Sequence, residues 1–113
     1  QYPYYADHNR ETYDMTLDAA TQIADNLMFP YLKDVDKNQP ELRDGKVTVH
    51  PMIKEYLKAM GESGIIGADF SYDYGGAQLP FVVSSMMGHI VMAANNGMMF
   101  TGLTSGAARL IVN

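Results

Sequence analysis

The sequence predicts an all-α fold, an up-and-down bundle of about four main helices, and three observations carry the prediction. Apolar residues recur at three-and-four spacing in four stretches, no segment alternates convincingly as a strand, and Pro or Gly stands at the stretch boundaries. At 113 residues the chain is one domain's worth, and 47% hydrophobic against 19% charged residues is a composition able to bury a core.

The first helix is expected from about His8 to Met28, with Tyr13, Leu17, Ala20, Ala24 and Leu27 on one face and Asp14, Asp18, Thr21, Gln22 and Asp25 on the other. Residues 1–7 ahead of it read as a frayed end, with Tyr2, Tyr4 and Tyr5 unengaged. Pro30 lacks an amide proton and biases its predecessor away from helix, so a break and a short turn through Leu32 to Val35 are expected there. Residues 36–48 have no apolar period and read as a surface loop. Pro51 suits a first helical position, and Ile53, Tyr56, Leu57 and Met60 form one stripe of a helix that ends at Gly64. Residues 68–79 form a Tyr/Gly-rich loop, expected to be ordered by its own rings, with Tyr72 and Tyr74 as anchors and Gly75–Gly76 as a tight turn. Pro80 then opens a helix whose wide stripe, Val83, Met86, Met87, Ile90, Val91 and Ala94, implies burial on most sides. Asn95-Asn96-Gly97 closes it, and a final helix runs from about Met98 with Leu103, Ala107, Leu110 and Ile111 in phase.

Charge and composition exclude several functions. Eight Lys and Arg against 13 Asp and Glu give a net charge of −5, which supplies no cationic field for nucleic acid or anionic lipid. No apolar run approaches the roughly 20 residues of a membrane span. Zero cysteines remove disulfides, thiolate ligands and a cysteine nucleophile, and fit a cytoplasmic setting. Of the histidines only His8 has a carboxylate, Glu11, at ligand spacing, so no metal is expected. His50 reads as a helix-start residue and His89 as a partly buried group needing one hydrogen-bond partner. Ser84, Ser85 and Ser105 have no base or acid in range and no Gly-x-Ser-x-Gly setting. No catalytic residue is expected in the chain.

The stretch Val49-His50-Pro51 through Gly61-Glu62-Ser63-Gly64-Ile65-Ile66-Gly67, followed by Asp73-Tyr74-Gly75-Gly76-Ala77-Gln78-Leu79-Pro80, resembles the amino-terminal helical domain of acyl-CoA dehydrogenases. The likeness continues through Asn95-Asn96 and Thr104-Ser105-Gly106-Ala107-Ala108-Arg109, and covers the chain from about Asp7 onward. Two positions depart from the family pattern: Gln78 stands where a Gly is common, and Ser84-Ser85-Met86-Met87-Gly88 where a Glu pair is common.

The resemblance implies an FAD-dependent enzyme of three parts, in which this domain is joined by a middle β-domain and a carboxy-terminal bundle. Those two parts chiefly hold the flavin, and the carboxylate base lies in the carboxy-terminal one. The implied reaction removes a proton and a hydride from adjacent carbons of an acyl-CoA, leaving 2-enoyl-CoA and reduced flavin. It further implies a homo-oligomer at full length, and a last helix that lines the acyl pocket through Met98, Met99, Gly102, Leu103 and Gly106. Physically, glycines four apart open a groove along a helix, and Met adapts to a flexible apolar ligand; the alternative is that the groove lets another helix pack closely. Read as a fragment of such an enzyme, the chain is expected to be inactive alone and to expose apolar surface on its last two helices, at Val83 to Ile90 and Met98 to Ile111. The competing expectation is a stand-alone helical interaction module with a Met-rich groove.

Overall fold

The computed structural model describes residues 2–98 and 101–112, with side chains throughout except at 101–103. The architecture is all-α, as the periodicity predicts. Its main helices are α1 (Arg10–Ile23), α3 (Met52–Glu62), α4 (Phe81–Asn95) and α5 (Thr101–Val112), with a short α2 (Leu32–Lys37). Ahead of them, residues 2–7 are not wholly irregular, since Pro3–Tyr5 forms a 3-10 turn. The described chain is a slab of 51 × 30 × 19 Å with a radius of gyration of 15.4 Å. A compact domain of this length has about 13 Å, so some helix surface remains uncovered.

Helix α1 starts where Asn9 caps it, its side chain accepting from the Thr12 amide at 3.0 Å, with Glu11 in the first turn. The break required by Pro30 is spread over eight residues. The helix widens into a π segment, Ala24–Met28, closed by the Phe29 amide on the Ala24 carbonyl, and then tightens into a 3-10 turn, Phe29–Tyr31. The carbonyl of Met28, the N-cap of that 3-10 turn, also accepts from Nδ2 of the buried Asn95 at the end of α4, at 3.2 Å. Beyond the break the expected turn is instead the six-residue helix α2, which buries Val35.

The connection at residues 36–48 carries more order than its lack of apolar period suggests. Glu41–Arg43 (β1) and Lys46–Thr48 (β2) form an antiparallel hairpin across Asp44–Gly45. Both turn residues have positive φ, 50° and 75°, the two-residue type I′ geometry that Asp-Gly favours. The signal was Asp-Gly itself; the strands are three residues long and exposed on both faces, too short to show alternation.

His50 prepares α3. Its Nδ1 accepts from the Met52 amide at 3.2 Å, which leaves Nε2–H to donate to Asp34 Oδ2 of α2 at 2.8 Å. Ile53, Tyr56 and Met60 face inward, and Gly64, at φ 70°, ends the helix while the Ile65 amide returns to the Met60 carbonyl. Two core clusters result. Met28, Tyr56, Val91 and Met98 centre the larger, and Ala20, Leu79, Val83 and Met87 the smaller, with α4 running through both against α1.

The 68–79 loop is held by backbone rather than by rings. Leu79 N–H donates to Ala68 O at 2.9 Å and Gln78 N–H to Phe70 O at 2.8 Å, while Tyr74 is largely exposed and Tyr72 half-exposed, its ring set against His8. Gly75 supplies φ 75°, and a Cβ on Gly76 would lie 2.1 Å from the Phe70 carbonyl oxygen. A Gly76→Ala substitution must therefore displace backbone, and we expect at least about 2 kcal/mol of lost stability in urea unfolding. Asn95→Ala removes a buried hydrogen bond to the Met28 carbonyl, and the expected loss is about 1 kcal/mol by the same measurement.

Candidate functional site

The residues assigned to an acyl pocket by resemblance lie at and after the end of α4. Met98 closes a 3-10 turn, Asn96–Met98, and its side chain is fully buried in the larger core cluster beside Met28 and Tyr56. Met99 lies outside the described residues. Gly102 and Leu103 stand in the first turn of α5. Gly106 follows one turn later, and a Cβ there would meet nothing within 4 Å. No neighbouring helix is pressed against it, so among the described residues this glycine marks open space rather than a close helix crossing.

Between α4 and α5 runs a cleft of about 130 Å³, floored by Met60, Met87 and Val91 and flanked by Ser84, Gly88 and Ser105. Gly88 is open in the same sense as Gly106. The cleft is smaller than the roughly 300–1,000 Å³ of a whole small-molecule site. It is one wall of such a site, apolar at its base and polar at its lip.

Helix α5 is fixed across the cleft by a bidentate ion pair that sequence reasoning missed. Arg109 Nε donates to Asp69 Oδ2 at 2.6 Å and its second terminal nitrogen to Oδ1 at 3.0 Å. The Asp69 side chain is only 10% exposed and that of Arg109 35%. The guanidinium carbon also stands 5.4 Å from the centre of the Phe81 ring, at the start of α4. The hydrogen bonds to Asp69 hold the Arg109 pKa above its ordinary value, against the smaller opposing effect of burial. A pKa raised in the fold contributes stability below the unfolded value and loses it only above, so this charge does not titrate in the neutral range. A partner 40 residues away leaves no local pattern in the sequence.

The outer side of the cleft is apolar. Phe81 and Val82 are 63% and 64% exposed, Met86 and Met92 about half, and Leu110 and Ile111 at the end of α5 almost fully. Helix α4 is thus buried on one side only, not on most sides, because no described element covers its other face.

The sequence model of the family described as acyl-CoA dehydrogenase, N-terminal domain, matches residues 10–113. The chain belongs to that family. No individual curated protein matches it at significant similarity. In this acyl-CoA dehydrogenase domain the Tyr74-Gly75-Gly76 signature acts as a structural turn. Its amides are used internally, Gly75 N–H on Tyr72 O and Gly76 N–H on Ser71 O, so it offers no donors to a pyrophosphate. This loop is therefore not a pyrophosphate cradle. Gln78, the departure from the family's common Gly, keeps a left-handed φ of 52°. Its side-chain amide donates to the Tyr4 carbonyl, which ties the amino-terminal turn to the loop.

The histidines occupy three unrelated settings. His8 is buried, with Nε2 3.5 Å from the Tyr72 hydroxyl, and His50 joins α2 to α3. His89 is exposed rather than partly buried, and its Nδ1 is bonded to the Ser85 carbonyl. Among the described residues no group of three His, Asp or Glu side chains is placed to hold a metal, and no helix is long and apolar enough to cross a membrane. Arg109→Gln breaks the fork to Asp69. Faster amide exchange throughout α5, with α1 and α3 protected as before, is the expected result in a hydrogen-exchange experiment.

Proposed function

We infer that this chain forms the acyl-pocket wall of an FAD-dependent acyl-CoA dehydrogenase working in the cytoplasm. The enzyme takes an acyl-CoA thioester to its 2-enoyl-CoA and passes the hydride to flavin held by the enzyme's other domains. The carrying observation is the α4–α5 face: a chain of this family presents there an apolar, glycine-opened cleft with uncovered apolar surface around it. The open space at Gly106, on the helix that flanks the cleft through Ser105 and Arg109, favours a ligand groove over a helix-packing groove, and the resemblance assigns Met99, Gly102 and Leu103 to the same pocket. Met98 supports it from behind, within the core. In this reading the domain supplies shape and exclusion of water, and the base, the main flavin site and most contacts of a homo-oligomer lie in the remaining domains. The uncovered face also suits a stand-alone interaction module with a Met-rich groove, but family membership favours the enzyme.

The decisive experiment records the visible flavin spectrum of the purified enzyme carrying this domain, before and after a series of acyl-CoA thioesters. Bleaching by one chain-length class is expected. In the same enzyme Gly106→Phe should lower kcat/KM for the preferred thioester by at least about tenfold, with the flavin content unchanged. A colourless, well-folded helical protein instead moves the interaction module to first place.

A further inference from the structure

The β1–β2 hairpin is not accounted for by any acyl-pocket role. A lone two-stranded hairpin is marginal in water unless further strands or a packed face support it, and all six strand residues here are exposed. Leu42 and Val47 stand directly opposite each other on the same face, 73% and 68% exposed. Glu41, Arg43 and Thr48 share the other face, toward the cleft beside α2.

The register also shows what the outer edge offers. In a two-residue hairpin the pair flanking the turn, Arg43 and Lys46, is the hydrogen-bonded pair, so the next pair, Leu42 and Val47, directs its amides and carbonyls outward. Among the described residues the Leu42 backbone makes no hydrogen bond outside the hairpin. The outer edge of β1 therefore presents one free donor and one free acceptor, centred on Leu42 and flanked by an acid and a base.

We propose that β1 pairs edge to edge with β1 of a second copy of this chain, about a two-fold axis at Leu42. In that antiparallel register Leu42 faces Leu42 and exchanges two backbone hydrogen bonds. Glu41 of each copy faces Arg43 of the other in the close, non-hydrogen-bonded positions. The strand is thus complementary to itself in charge, as an isologous contact requires. The two hairpins become one four-stranded sheet, and Val47–Leu42–Leu42–Val47 form a continuous apolar row across one face. Within one copy Arg43 Nε donates to Glu41 Oε2 at 2.6 Å, and both side chains are exposed, so in the dimer each can exchange this partner for the opposite charge of the other copy. The contact is far smaller than a standard protein interface, so the association is weak and visible only in concentrated solution.

Sedimentation equilibrium of the full chain over a hundredfold concentration range tests the proposal, with circular dichroism confirming unchanged helix content in each variant. A monomer–dimer equilibrium is expected, weakened at least tenfold in Leu42→Pro, which removes the donor. Glu41→Arg and Arg43→Glu should each abolish self-association, since like charges then face each other. An equimolar mixture of these two variants should restore the dimer as a heterodimer, an outcome that charge pairing within one strand does not produce. A chain that stays monomeric, or single variants that associate like the parent, overturns the proposal.

Discussion

Pro30 imposes the constraint on which the rest of the fold depends. A proline in the path of a helix removes one donor and collides with the carbonyl of the preceding turn. The chain answers by widening to a π segment before it and tightening to a 3-10 turn after it, with Met28 in the core at the junction. Asn95, the last residue of α4, adds a buried donor to the carbonyl of Met28, where the 3-10 turn begins. That single bond fixes where α4 ends relative to α1, and it sets the turn that sends Met98 into the core. Helix α5 is held across the cleft by the separate Asp69–Arg109 fork.

The legible parts of this arrangement were those with local causes. Helical periodicity located α1, α3, α4 and α5, Gly64 marked a left-handed terminus, and Pro30 marked a break. The form of the break was not legible, because whether a proline kinks, ends or widens a helix depends on which distant group can satisfy the carbonyl it frees. Helix α2 and the hairpin were missed for a different reason. Each is six residues or fewer per element, shorter than the span over which a period can be recognised. Reading the aromatic loop as ring-ordered overweighted its composition, when the Phe70 carbonyl and Gly76 fix it through backbone.

Much less of the site was legible. The resemblance marked the glycine-rich start of α5, where Gly106 has open space beside it, while the cleft takes Ser105 and Arg109 from that helix. The Asp69–Arg109 fork, which holds α5 across the cleft, joins two residues that look unremarkable in their own segments. The single-sided burial of α4 was likewise hidden. A helix apolar all round looks the same in sequence whether its second face meets this chain or another body.

The thinness of the slab, 19 Å in its shortest dimension, has an energetic consequence. A helix with its side chains is about 10–12 Å across, so α4 separates the two core clusters from the exterior with its own width alone. Whatever settles on its outer face binds the folded domain and not the unfolded one, and such coupling raises stability with the logarithm of the partner's concentration relative to its Kd. Folding and docking of this domain are on that account a single thermodynamic event seen from two sides, with α4 as the element through which each reports the other.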